Sequence, residues 1–99
     1  MVHFNLGKQL MSAAIAERTQ ESREFTQFVY KRLFRHRAND WGDLSEDDKA
    51  RNDEALKNGD RIHSSFDIPE DLQICDQTKL WIITEGDRSM TTVLFPSDY

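Results

Sequence analysis

The stretch Lys79 to Tyr99, KLWIITEGDRSMTTVLFPSDY, limits the fold more than any other part of the chain. Two runs rich in branched and aromatic side chains flank the polar turn Gly86-Asp87-Arg88-Ser89. Such side chains suit a pleated surface and Gly supplies turn geometry, so the stretch reads as a β-hairpin with strands at 79–85 and 90–96. Leu80 and Ile82 point one way, Trp81 and Ile83 the other. Strands apolar on both faces belong in the middle of a sheet. Pro96 ends the second strand because it cannot donate to a ladder.

The remaining elements follow from period and caps. His3 to Met11 alternates loosely around Phe4, Leu6 and Leu10 and is expected to add a short strand, broken by Gly7. Ser12 caps a short helix over 13–18. The clearest helix is 21–37, where Phe25, Phe28, Val29 and Leu33 share one face, with Tyr30 and Phe34 expected to broaden it. Its acids (Glu21, Glu24) stand at the start and its bases (Arg32, Arg35, Arg37) at the end, as the helix dipole prefers. Residues 38–44, rich in turn formers, make a loop that Trp41 plugs into the core. A helix over 45–58 has Ser45 as its cap, Asp48 completing an approximate capping box, and Asn58-Gly59 as its stop. Its apolar face is thin: Ala50, Ala55 and Leu56. Residues 61–68 make another strand, with Ile62, Ser64 and Phe66 on one side; 69–78 is a polar connection with footholds at Leu72 and Ile74. The summed pattern predicts an α+β domain spanning 1–99: a small antiparallel sheet of three or four strands with two or three helices on one face.

Composition narrows function by exclusion. The net charge of −5 argues against a general nucleic-acid binder, whose affinity comes from cations neutralising phosphates. Charge is unevenly spread: Lys31, Arg32, Arg35, His36 and Arg37 precede Asp40, Asp43, Glu46, Asp47, Asp48, Asp53 and Glu54. Either a solvated helix face is followed by acids that suit the next helix's N-terminus, or the two blocks form a two-signed docking surface. The single Cys75 has no disulfide partner in the chain, which fits a reducing compartment. With no secretory or membrane-length apolar run, the expectation is a cytoplasmic chain that does not enter a membrane.

Candidate chemistry is sparse. His36, Asp40 and Asp43 form an H-x3-D-x2-D string of metal-ligand types, but the string straddles a helix end, and a helix-end His with turn aspartates is the simpler reading. Glu85, Asp87, Arg88 and Ser89 gather at the hairpin turn, where exposure denies a carboxylate the raised pKa of a catalytic acid, so a salt-bridged or partner-binding turn is favoured. His3, His36 and His63 are scattered and read as surface or half-buried residues. No Ser-His-Asp order, paired CxxC, P-loop or HExxH occurs, and no cofactor, metal site or catalytic residue is expected.

The segments NDWGDL (39–44), NDEALKNG (52–59) and LWIITEGDRSMTTVLFPSDY (80–99) resemble a family of small proteins of about this length found in bacteria, plasmids and phages. Its members carry labels such as plasmid-related protein or subunit M of type I restriction endonuclease. The chain has no room for a methyltransferase fold and no Gly-rich cofactor motif, so the second label is not expected to transfer. The segment 66–78 is longer here than the family's connection to the hairpin. The resemblance implies carriage on a mobile element, and hence a non-enzymatic anti-defence role that inhibits a CRISPR-type or restriction-type nuclease by binding a host protein or nucleoprotein complex. The contacts expected are Asp43, Glu46, Asp47 and Asp48 toward a basic surface, with Arg35 and Arg88 secondary. A second expectation is a nucleic-acid accessory factor using Lys31, Arg32, Arg35 and Arg37. A small enzyme or metal protein centred on Asp40, Asp43 and Glu85 has the least support. A homodimer is a further expectation, since a thinly covered sheet invites a second copy.

Overall fold

The computed structural model describes residues 4–73 and 77–99. Along the chain run β1 (Lys8–Met11), α1 (Ala13–Glu21), α2 (Arg23–Arg37), α3 (Glu46–Asn58), β2 (Ile62–Asp67), β3 (Lys79–Thr84) and β4 (Met90–Leu94), with short 3-10 turns at Glu70–Leu72 and Pro96–Asp98. The hairpin strands β3 and β4 occupy the centre of a four-stranded sheet of order β1-β4-β3-β2, where their two apolar faces require them to be. Ser12, Ser22 and Ser45 each cap a helix by accepting a backbone N–H of its first turn. Gly59 takes the left-handed conformation that ends α3.

The expected sheet was antiparallel throughout; the observed one is mixed. β2, β3 and β4 are antiparallel, but β1 lies parallel to β4, with Lys8 opposite Met90 and Met11 opposite Val93. Parallel neighbours need a long crossover, and everything from α1 to β3 lies between these two strands in the chain. Phe4 and Leu6 are buried as expected, yet they precede β1, while Leu10 inside it is exposed.

Register puts Ile62, Ser64 and Phe66 beside Thr84, Ile82 and Leu80, and Thr91 and Val93 beside Thr84 and Ile82. This face meets α2 through Phe25, Phe28, Val29 and Leu33 and α1 through Ile15, and Phe4, Leu6, Trp41 and Phe95 complete the core. Tyr30 and Phe34 do not join it: they are 50% and 67% exposed. They lie on the flank of α2 that faces β1, where the sheet has already ended. The connection after β2 keeps Leu72 partly buried against the core; Ile74, Cys75 and His3 lie outside the described residues.

His36 is fully buried, contrary to the expectation of a surface or half-buried ring. Its Nδ1 is hydrogen-bonded to Ser64 Oγ and its Nε2 lies 2.9 Å from Thr84 Oγ1. Thr84 Oγ1 lies 2.7 Å from Thr91 Oγ1, which donates to the Leu6 carbonyl at 2.7 Å. A carbonyl only accepts, so Thr91 donates to Leu6, Thr84 donates to Thr91, and His36 donates from Nε2 to Thr84. The Ser64 hydroxyl can donate or accept; with the ring kept neutral by burial, it donates to Nδ1. Burial, with the nearby His63 and Arg88 charges, pushes its pKa down to about 3. Phe4 and Trp41 pack edge-on against the ring.

Stability should follow this proton. Above about pH 6.5 the ring is neutral in both states and its full contribution is present; toward about pH 3 only the unfolded chain takes up the proton. Stability should fall through that window with a slope approaching about 1.4 kcal/mol per pH unit. Half-buried His63, also lowered by burial, adds in the same direction. Urea unfolding of His36→Leu should show lower stability near neutral pH, by about 1–3 kcal/mol for the stranded Ser64 and Thr84 hydroxyls, and a flatter profile down to about pH 4.5. A parallel pH profile for variant and wild type would contradict the neutral buried ring.

Candidate protein-interaction surface

The acidic segment is positioned by the end of α2. Asn39 adopts a left-handed backbone with φ of 68°. Its N–H donates to the His36 carbonyl and the Asp40 N–H to the Arg35 carbonyl, the paired bonds of a Schellman motif. That turn sets Asp40 against Arg35, with Oδ2 2.7 Å from Nε, and aims Trp41 into the core. Burial works against the Asp40 charge, but the Arg35 guanidinium and the Gly42 N–H outweigh it and hold the carboxyl below its ordinary range. Trp41 donates its indole N–H to Asp53 at 2.9 Å, tying the loop to α3.

From there the chain covers the outer edge of β2, which would otherwise present unpaired backbone groups. The Ser65 N–H donates to the Trp41 carbonyl and the Asp43 N–H to the Ser65 carbonyl. Gly42 makes this approach feasible: its φ is 80°, and a Cβ there would stand 2.2 Å from the Ser65 carbonyl oxygen. Asp43 Oδ2 accepts the Asp67 N–H at 2.9 Å. Asn52 on α3 serves His63 from both ends of its amide, accepting the His63 N–H at 3.2 Å and donating to its carbonyl at 2.8 Å. α3 thus lies along the β2 edge, held by a buried amide where its apolar face is thin. Sequence reasoning missed Asn52, although an amide one turn before Ala55 on the inward face was a signal that a backbone partner awaited it.

The six expected contact residues divide on this frame. Glu46, Asp47 and Asp48 are exposed in the first turn of α3; the nearest cations, Lys49 at 3.8 Å from Glu46 and Arg51 at 3.7 Å from Asp48, are loose neighbours. Asp43 is exposed but spends one oxygen on β2. Arg35 is paired with Asp40 and lies over the Phe66 ring at 5.0 Å. Arg88 is turned inward: its guanidinium donates to the carbonyls of Asp60 at 2.7 Å and of Glu85 and Ala55 at 3.1 Å, clamping the hairpin turn to the end of α3. Glu85 faces Arg61 instead, 3.3 Å away.

The structure also separates what the sequence placed together. His36 points into the core while Asp40 and Asp43 point outward, and the described residues contain no group of three or more His, Cys, Asp or Glu side chains able to hold a metal. Of the basic block Lys31, Arg32, Arg35 and Arg37, the first three share one flank of α2 by their spacing, where Arg35 lies near Arg32, and Arg37 stands apart. Arg35 is neutralised by Asp40, Arg32 lies over Phe28 at 4.2 Å, and Arg37 lines a groove on the opposite flank. Beside α3, a cleft of about 470 Å³ runs from Asp43 and Asp48 past Arg51 to His63 and Trp81. His63, Trp81 and Tyr99 form an aromatic row on the sheet face away from α2, with ring centroids 4.4 and 5.9 Å apart. No helix among the described residues is long and apolar enough to cross a membrane. No protein-family model, curated protein or solved structure matches the chain.

Removing the Asn52 amide should expose what it protects. Asn52→Ala should cost about 1–3 kcal/mol, because a buried N–H and C=O lose their partners together. Amide hydrogen exchange at His63 should speed up more than at Ile82 in the sheet centre. Equal acceleration at both sites would mean that Asn52 supports the fold globally and does not seal this edge.

Proposed function

We propose that the chain is a non-enzymatic binding module that docks the acidic surface of segment 40–54 onto a basic surface of a host protein complex. One observation carries this reading. The segment holds seven acidic and two basic side chains, a net −5, which is the whole formal charge of the chain; the remainder is balanced at eleven of each. Glu46, Asp47, Asp48 and Glu54 are exposed on α3, and α3 is held along the β2 edge by Asn52 and by Trp41 through Asp53. Such a row of carboxylates on a rigid helix suits a cationic channel, and complementary potentials raise both encounter rate and selectivity. The resemblance to mobile-element proteins narrows the partner to a defence nuclease, of CRISPR or restriction type, in the cytoplasm; occupancy of its nucleic-acid channel would inhibit it. Asp43 and Arg88 play smaller parts in this reading, since each holds backbone groups of its own fold. The nucleic-acid alternative loses support because Arg35 is paired with Asp40 and Arg37 lies on the other flank of α2.

A tagged protein recovered from host lysate should bring down a stoichiometric protein complex whether or not the lysate is treated with nuclease. Glu46→Gln, Asp47→Asn and Asp48→Asn combined should reduce recovery at least about tenfold, and added salt should weaken it further. Neutral isosteres are preferred to lysines, because cations in the first turn would oppose the α3 dipole and blur binding with folding. Recovery that vanishes with nuclease, or that ignores the charge change, would overturn the reading.

A further inference from the structure

The end of α3 carries a reactive pair of residues that the fold holds still. Of the four asparagines in the chain, only Asn58 precedes a glycine. Asparagine before glycine loses its amide most readily, because a residue without a Cβ leaves its nitrogen free to approach the asparagine side chain. Asn58 and Gly59 are both exposed to water. The reaction requires the Gly59 nitrogen to reach the side-chain carbonyl carbon of Asn58, and two features oppose it. Asn58 is the last residue of α3, and helical backbone keeps the following nitrogen out of that reach. The Gly59 N–H also donates to the Ala55 carbonyl at 3.0 Å, so the nitrogen is neither free to turn nor easy to deprotonate.

The hairpin turn locks this arrangement from outside. The Ala55 carbonyl accepts from the Asp60 N–H at 3.0 Å and from Arg88 Nη2 at 3.1 Å as well. Nη1 of the same guanidinium donates to the Asp60 carbonyl at 2.7 Å and to the Glu85 carbonyl at 3.1 Å. One planar fork therefore grips the chain on both sides of the Asn58–Gly59 bond. Arg88 makes this grip from a left-handed backbone, φ 61°, which a side chain of its size seldom adopts. Gly86 completes the seat: a Cβ there would stand 2.7 Å from the Gly59 carbonyl oxygen. Helix ends open locally at far lower cost than a sheet core, and these contacts raise that cost where the reactive pair lies.

We propose that Asn58–Gly59 is a self-modification site whose rate is set by the Arg88 clamp. When the clamp opens, the Gly59 nitrogen gives up its proton and bonds to Cγ of Asn58, and the side-chain amide nitrogen departs as ammonia with that proton. Water then opens the cyclic imide. Addition at Cγ leaves aspartate; addition at the main-chain carbonyl leaves isoaspartate, which routes the backbone through the side chain and lengthens it. Water is the only co-reactant, ammonia the only product released, and no atom changes oxidation state. Either product places a carboxylate in the last turn of α3, where the helix dipole disfavours negative charge, so each event loosens the junction between α3 and β2. The site is independent of whatever the acidic surface of α3 binds.

The test incubates the full-length chain in mildly alkaline buffer, folded and unfolded in urea, and follows each asparagine amide by peptide mapping and mass spectrometry. Asn58 should convert at least about tenfold more slowly in the folded chain than in urea. Arg88→Ala removes charged hydrogen bonds to three carbonyls and should raise the folded-state rate at least about tenfold. His36→Leu weakens the core but leaves the clamp in place, and should leave that rate unchanged. Should Arg88→Ala fail to fold, Arg88→Lys decides: it keeps the charge, loses the fork, and should raise the rate at least about threefold. Equal rates in the folded and unfolded chains, no acceleration by the folded Arg88 variant, or equal acceleration by His36→Leu would overturn the proposal. So would faster conversion of the folded chain at Asn5, Asn39 or Asn52 than at Asn58.

Discussion

A neutral imidazole at the centre of the core organises this fold. His36 reaches from α2 to Ser64 on β2 and Thr84 on β3, and Thr84 passes the hydrogen bond through Thr91 on β4 to the Leu6 carbonyl. Four hydroxyl or imidazole groups that would each be costly to bury alone are satisfied by one another. The arrangement fixes the helix over the sheet more specifically than apolar contact does, because displacing any member strands the rest. The Schellman turn that ends α2 uses the carbonyls of Arg35 and His36, so the loop starts beside the buried ring.

That loop decides how the two edges of the sheet differ. Trp41 enters the core beside His36, Gly42 allows the backbone to reach Ser65, and Asp43 and Asn52 complete the seal on β2. The acidic residues are carried along on the same segment. The β1 edge, reached by the chain before any helix forms, receives no such cover from the described residues. Two unlike edges result, one sealed and carrying the acidic segment, the other bordered by the exposed Tyr30 and Phe34. The sheet between them keeps them apart.

Much of the architecture was legible in the residues. The hairpin, its central place, the three helices, the Ser12 and Ser45 caps, the Gly59 stop and the burial of Trp41 all follow from local rules: side-chain period, cap chemistry and turn residues; the Ser22 cap that separates α1 from α2 was not read. The misreadings share a cause. Phe34 and Tyr30 have the spacing of buried residues, but burial depends on what lies opposite, and the sheet stops at β1. Arg88 sits in a turn, where exposure is the usual expectation, but the Ala55, Asp60 and Glu85 carbonyls lie within its reach. The orientation of β1 depends on its pairing with a strand nearly eighty residues away along the chain, and no local period encodes that direction.

The candidate surface divides in the same way. Sequence alone determined that the negative charge is concentrated between Asp40 and Glu54, that Glu46, Asp47 and Asp48 favour the first turn of a helix, and that no familiar catalytic pattern is present. Those are properties of composition and of spacing along one element. Tertiary structure decided that Asp43, Arg35 and Arg88 are engaged within the fold, that His36 belongs to the core and not to a site with Asp40 and Asp43, and that Arg35 is paired with Asp40 while Arg37 lies on the other flank of α2. Each of those outcomes depends on which groups from distant segments come within hydrogen-bonding range, and only the assembled sheet and helices bring them there.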